Sequence, residues 1–154
     1  MHSQSAAQPE RGQEAAHARF LALHRGERAF VVANPWDAGS ARLLTTLGFA
    51  ALATTSAGLA YTMGKRDSRA ELTRDEVLEN AARIVSVTSL PVSADLEDGF
   101  GTAPDTCAET IRLAIATGLV GGSIEDATGD PAAPILNMAL ATDRIRAAAE
   151  ACKG

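Results

Sequence analysis

The feature that most limits how this chain can fold is a repeated change of pattern: four short apolar runs, each followed by a stretch with helical spacing. The runs are Ala29 to Ala33 (AFVVA), Phe49 to Thr54 (FAALAT), Leu90 to Ala94 (LPVSA) and Leu119 to Ile124 (LVGGSI). Each is too short for a buried helix, so the reading is parallel strands. Helices are predicted over Gly39 to Leu47, Thr73 to Val87, Pro104 to Thr117 and Met138 to Cys152, with one more, Glu10 to His24, ahead of the first strand. Thr73 and Glu76 form a capping box, and Val77, Ala81, Ile84 and Val85 share a face behind it. Pro104 and Gly118 bracket the next helix, which turns Cys107, Ile111 and Ala114 to one side. Leu140, Ile145 and Ala148 are expected to face inward, and Ala15, Ala18, Leu21 and Ala22 to form an apolar stripe. Residues 1–9 read as a disordered tail and 10–154 as one unit. A helix followed by four strand–helix pairs is an α/β pattern, a parallel sheet with right-handed crossovers.

Charge narrows the partners. With 14 Lys and Arg against 19 Asp and Glu, the net charge is −5 and no basic block is present. Nucleic acid and anionic membrane surfaces need clustered positive charge, so neither is expected. No apolar run reaches the roughly 18 residues of a membrane span, and the first 28 residues are too polar for a signal peptide, so the expected location is cytoplasmic. All three histidines, His2, His17 and His24, lie in the N-terminal segment, away from the remaining motifs. Triad, Cys–His and histidine–zinc chemistry are thereby excluded from the rest of the chain, leaving carboxylates, hydroxyls, Lys or Arg, or a hard metal. Cys107 and Cys152 form no C-x-x-C pair, and Cys107 reads as a small core residue.

Acidic residues follow every predicted strand: Asp37 after the first, Asp67 in the long loop after the second, Asp95, Glu97 and Asp98 after the third, Glu125 and Asp126 after the fourth. In parallel α/β folds these strand ends converge on the ligand. Alternation along an extended chain would point Asp95 and Glu97 the same way, as paired oxygen ligands for Mg²⁺ or Mn²⁺, with Gly99-Phe100-Gly101 turning tightly to leave the site open. An EF-hand fails on spacing, because position twelve is Thr106, and a dinucleotide fingerprint fails because Pro104 stands where the third glycine belongs. Thr54 to Gly58 offers hydroxyls and backbone amides in a turn of small residues, suited to a carboxylate or phosphate oxygen. Trp36 follows the Asn34-Pro35 break and packs either at the mouth of the fold or on a ligand; spacing leaves both open.

Together these strings resemble the isocitrate lyase/phosphoenolpyruvate mutase family. The resemblance rests on NPWDAGSAR from Asn34 to Arg42, TSAG from Thr55 to Gly58, GKRD from Gly64 to Asp67, PVSADLEDGFG from Pro91 to Gly101 and SIED from Ser123 to Asp126, and extends over Phe20 to Ala149. It implies a (β/α)₈ TIM barrel that binds Mg²⁺ (or Mn²⁺) and a small 2-oxo acid or phosphonate, with lyase or mutase chemistry at a C–C or C–P bond beside the carbonyl. It further implies that Asp95 and Glu97 bind the metal, that Glu125 supports that site, that Ser56, Ala57 and Gly58 hold the substrate carboxylate, and that Asp67 lies near the substrate. Glu125 and Asp67 are then the candidate catalytic acids, and Trp36 and Asp37 candidate substrate contacts.

Two departures qualify that picture. The lyase branch carries a K-x-C-G-H type string after the fourth strand, where this chain has Ala127 to Pro134 (ATGDPAAP). This weighs against the ordinary isocitrate or methylisocitrate lyase mechanism and favours the mutase-like branch. An eight-stranded barrel also needs at least about 200 residues, against 154 with four predicted strands, so the chain corresponds to about the first four βα units. Such a half barrel is expected to expose two strand edges and an apolar interior, and hence to self-associate or be marginally stable. The alternative to a homo-oligomeric enzyme is a noncatalytic assembly partner that retains only a weak metal site. A flavodoxin-like nucleotide binder fits the alternation but lacks a phosphate loop.

Overall fold

A computed structural model describes residues 7–68 and 71–153. Its elements are α1 (Ala7–His24), β1 (Val32–Ala33), α2 (Ala38–Thr46), β2 (Ala51–Ala53), α3 (Ser56–Thr62), α4 (Arg74–Val85), β3 (Val92–Asp95), α5 (Pro104–Ala116), β4 (Gly121–Ser123) and α6 (Met138–Ala151). Residues 1–6 of the expected tail lie outside the described residues, and the helix expected from Glu10 begins at Ala7. No helix among the described residues is long and apolar enough to cross a membrane.

The four strands are all parallel and lie in the order β1-β2-β3-β4. A flavodoxin-like sheet would place its first strand between the second and third, so that alternative is excluded. Strand neighbours in chain order, each joined by a helical crossover, are the arrangement of a parallel barrel. The pleat sorts the strand residues: Leu52, Val92 and Ala94 are buried in one core with Ala41 of α2, Leu59 of α3, Val77, Ala81 and Ile84 of α4, Ile111 and Ala114 of α5, and Ala148 of α6. Ala53, Ser93 and Asp95 alternate with them and are only half-buried. The face turned from the helices is therefore small and polar toward its C-terminal end, which corrects the expectation of an apolar interior there. Glycine at 121 and 122 is set by close approach. A Cβ on Gly121 would sit 3.1 Å from Phe20, and one on Gly122 would sit 2.9 Å from Leu96.

Caps explain the helix boundaries. Asp37 closes a capping box on α2 with Ser40, Thr73 closes one on α4 with Glu76, and Asn137 caps α6. The seven-residue α3 lies in the segment that the sequence presents as a turn; Thr55 caps it through the Gly58 amide, but so short a helix shows no periodicity. Helix α1 docks on another face than its small-residue spacing implies. Ala15, Ala18, Leu21 and Ala22 are exposed, while Gln13 donates to the carbonyls of Ile115 and Leu119 at 2.9 Å each and Phe20 packs at Gly121, so α1 sits under the N-terminal end of β4. On α6, Ala148 is buried as expected and Leu140 half-buried, but Ile145 is exposed and its neighbour Arg144 is buried instead. The outer edges of β1 and β4 have no strand partner among the described residues, and Leu43 of α2, Leu47 just after it, and Met138 and Ile145 of α6 stand exposed.

Candidate active site

The loop after β3 organises the C-terminal end of the sheet. Asp95 is the last strand residue, and its amide donates to Thr54 Oγ1 at 3.0 Å. Its Oδ1 accepts from the Glu97 amide at 3.1 Å, and its Oδ2 accepts from the Ser56 amide at 2.9 Å and the Ser56 hydroxyl at 2.7 Å. One carboxylate thus ties β3 to the start of α3 and starts the turn that follows. Leu96 is fully buried, and the chain then takes left-handed conformations at Glu97 (φ 47°), Gly99 (φ 73°) and Phe100 (φ 62°). The turn expected at Gly99-Phe100-Gly101 is present, but the strand ends before Glu97. Alternation therefore does not relate Asp95 to Glu97: the left-handed backbone at Glu97 redirects its side chain.

Two adjoining cavities result. One, about 360 Å³, is lined by Asn34, Thr54, Ser93, Asp95, Ser123 and Glu125 among others. The second, about 280 Å³, is lined by Ser56, Asp67, Ser68, Glu97, Asp98, Glu125, Ala127 and Gly129. Glu125 borders both, and its amide donates to the Glu97 carbonyl at 2.7 Å, so the loops after β3 and β4 are stitched together beside the acids. Burial, followed by the charges of Asp95, Asp98, Glu125 and Asp67, pushes the Glu97 carboxyl up to about 7. Burial and the neighbouring acids raise Glu125 as well. The acids whose charges raise Glu97 and Glu125 form a negative well suited to a small divalent cation.

The fit to Mg²⁺ is through oxygen donors. Among the described residues no three Asp, Glu, His or Cys side chains are gathered as a ready cage. Mg²⁺ keeps several waters and takes one or two carboxylates directly, so Asp95 or Glu97 with water-bridged neighbours suits it, whereas an all-protein cage for a softer metal does not.

The other expected residues are placed as follows. Asp67 is exposed and borders the second cavity at the end of a loop tethered by Lys65, whose Nζ meets Glu76 at 2.5 Å. Gly58 is confined by its surroundings: an added Cβ would lie 2.6 Å from Thr55 and 2.9 Å from Trp36 Cβ. Ala57 lies in the first turn of α3. Trp36 and Asp37 line neither cavity; Asp37 accepts from the Ser40 amide at 2.7 Å as the cap of α2, which lowers its pKa, and Trp36 packs beside Gly58 with its indole partly exposed. Cys107 is buried, as expected, and lines neither cavity. Sequence reasoning missed Asn34, Ser93 and Ser123 as lining residues. Ser93 was within reach, because it stands two residues before Asp95 on the same strand face.

A model of the phosphoenolpyruvate phosphomutase family matches residues 20–154. The chain belongs to this family, within the phosphoenolpyruvate mutase/isocitrate lyase superfamily. It is 32% identical to 2-methylisocitrate lyase of Escherichia coli K12 over 139 residues, covering 86% of this chain and 47% of that enzyme. A lyase/mutase-type protein of Burkholderia cenocepacia J2315 superposes with a TM-score of 0.89 at 51% identity, covering 94% of this chain and 51% of that one. Oxaloacetate acetylhydrolase, solved with its product oxalate, superposes at 0.80 with 27% identity, covering 92% and 50%. The chain thus spans about half the length of the relatives it matches, and its four parallel βα units correspond to half of their fold.

Proposed function

We propose that this member of the family carries the metal and enolate part of an Mg²⁺-dependent lyase or mutase site for a small 2-oxo acid or phosphonate. The observation that carries the reading is the convergence of Asp67, Asp95, Glu97, Asp98 and Glu125 on adjoining cavities at the strand ends, with Glu97 raised to about 7 by burial and by the acids around it. Asp95 and Glu97 would hold Mg²⁺ (or Mn²⁺), with Glu125 beside them. The ion would supply Lewis-acid stabilisation of the enolate charge that develops when the bond beside a carbonyl is made or broken.

The chain's own groups do the rest. Ser56 donates from its amide and hydroxyl to Asp95, and a substrate carboxylate would compete for those donors at the Ser56-Ala57-Gly58 turn. Glu125, whose pKa burial and the neighbouring acids raise, is suited to hold or return a proton, and Asp67 closes the outer side of the same cavity. The loop after β4 is held by an antiparallel bridge between Ala127 and Ile135, and its Ala127 and Gly129 border the acids; it contains no cysteine, which favours mutase-like or broad 2-oxo-acid chemistry. Exposed Leu43, Leu47, Met138 and Ile145 support self-association through apolar surface.

Titration calorimetry with Mg²⁺ and oxalate, an enolate mimic, beside light scattering, tests the reading. Binding by an oligomer is expected, and Asp95→Ala should abolish it together with Mg²⁺-dependent turnover of oxaloacetate-like or phosphonopyruvate-like substrates, with a cooperative thermal transition retained at a lower midpoint because three hydrogen bonds are lost. Unchanged binding in that variant refutes the metal assignment, and a monodisperse, cooperatively unfolding monomer refutes the self-association. Binding without turnover would favour the noncatalytic reading, which the three donors already engaged by Asp95 make specific.

A further inference from the structure

Among the described residues, Arg144 of α6 is the largest fully buried side chain, 2% exposed. An arginine is costly to bury unless most of its donors are taken up, and here both Nη atoms find backbone carbonyls. Nη1 donates to the carbonyl of Glu125 at 3.1 Å, and Nη2 donates to the carbonyl of Asp98 and, at 3.3 Å, to that of Gly101. Nε is buried with no acceptor. All three carbonyls belong to the loops after β3 and β4, and Arg144 itself lines neither acidic cavity.

Those loops need an external hold. Glu97 and Phe100 are non-glycine residues in left-handed conformations, which persist only where the surroundings fix them. Arg144 binds the carbonyls of Asp98 and Gly101 next to them, while Gly99 packs over it: a Cβ there would stand 3.5 Å from Nη2 and 2.9 Å from Cys107 Sγ. The planar fork of guanidinium donors can bridge carbonyls on two loops at once, which a lysine ammonium on a flexible stem does less well.

We infer that Arg144 is a positioning residue of the candidate active site: it locks the loops after β3 and β4 in one relative arrangement, and so fixes the backbone from which Glu97 and Glu125 reach their shared cavity. The locking stands on the geometry alone; its consequence for metal binding rests on the proposed function.

Amide hydrogen exchange and Mg²⁺–oxalate calorimetry on the full chain, with Arg144→Lys, Arg144→Met and the control Ala148→Gly, test this. Ala148 is buried on the same helix, and its loss loosens α6 without touching the loop carbonyls. The Arg144 variants should exchange the Gly99 and Glu125 amides, which bond to the carbonyls of Leu96 and Glu97, about ten-fold faster or more, while the amides of α4 exchange as in the parent chain. Mg²⁺–oxalate affinity should fall by about ten-fold or more in Arg144→Lys and hold in Ala148→Gly, the size expected when groups supporting a metal ligand are lost. Unchanged loop protection in Arg144→Lys, or the same exchange pattern in Ala148→Gly, overturns the inference. If Arg144→Met does not fold, Arg144→Lys decides. If the parent chain binds no Mg²⁺, the proposed function fails while the loop exchange still tests the locking.

Discussion

The loops after β1 and β3 both place a carboxylate just beyond a strand end, and the two acids meet opposite fates. Asp37 receives the amide and hydroxyl of Ser40, a short local arrangement that lowers its pKa and starts α2. Glu97 is partly buried among Asp95, Asp98, Glu125 and Asp67, and its pKa rises to about 7. An acid at a strand end is structural when local donors satisfy it and available for chemistry when its nearest company is other acids. The backbone differs in the same sense. Asp37 is extended, at φ −155°, whereas Glu97 is left-handed, and the loop around it is held by contacts from α5 and α6.

Substitutions can break that contrast in order of size. Gly99→Ala should be the most damaging to stability, about 2 kcal/mol or more, because the new methyl meets Cys107 Sγ at 2.9 Å on a backbone at φ 73°; a denaturant titration that shifts by less than half of this would show that the β3 loop is free to relax. Asp37→Ala should cost about 1 kcal/mol through loss of the cap, and Asp37→Asn less than about 0.5 kcal/mol, because asparagine caps equally well. Equal losses in the two would assign Asp37 a role that depends on its charge.

The smallest effect is the most diagnostic, because it changes with pH. A carboxyl whose folded pKa is raised contributes stability below its ordinary value of 4.5, and loses that contribution as pH rises through about 7. Metal-free Glu97→Gln should therefore melt about 2 °C higher than the parent above that value, an effect kept small by partial exposure, and should lose the advantage toward pH 4.5. Asp37 runs the other way: its lowered pKa stabilises above the ordinary 3.8 and is lost as pH falls through the folded value. Thermal melts of Glu97→Gln with the same offset at every pH would mean that Glu97 does not feel its neighbours.

Local chemistry made much of this legible in advance. The Thr73 box, the Pro104 start and the Gly118 stop mark α4 and α5 to within about two residues, because capping is settled by contacts a few residues apart. The acids at four strand ends were equally readable, since chain order and strand direction bring them to one end of a parallel sheet. Helix α3 was not, because seven residues are too few for a periodic signal. Nor was the docking face of α1, where Gln13 meets the end of α5 and the segment before β4, and Phe20 meets β4, rather than the alanine-rich stripe.

The sequence by itself determined the alternating α/β pattern, the family motifs and the collection of carboxylates, because each depends on spacing along the chain. Only the tertiary structure decided which acids remain available. Whether Glu97 leaves the strand by a left-handed turn, whether Asp95 is engaged by Ser56, and whether Arg144 rather than Ile145 enters the core depend on groups tens of residues away. Burial and charge at those distances are properties of packed space, and spacing along one chain does not encode them.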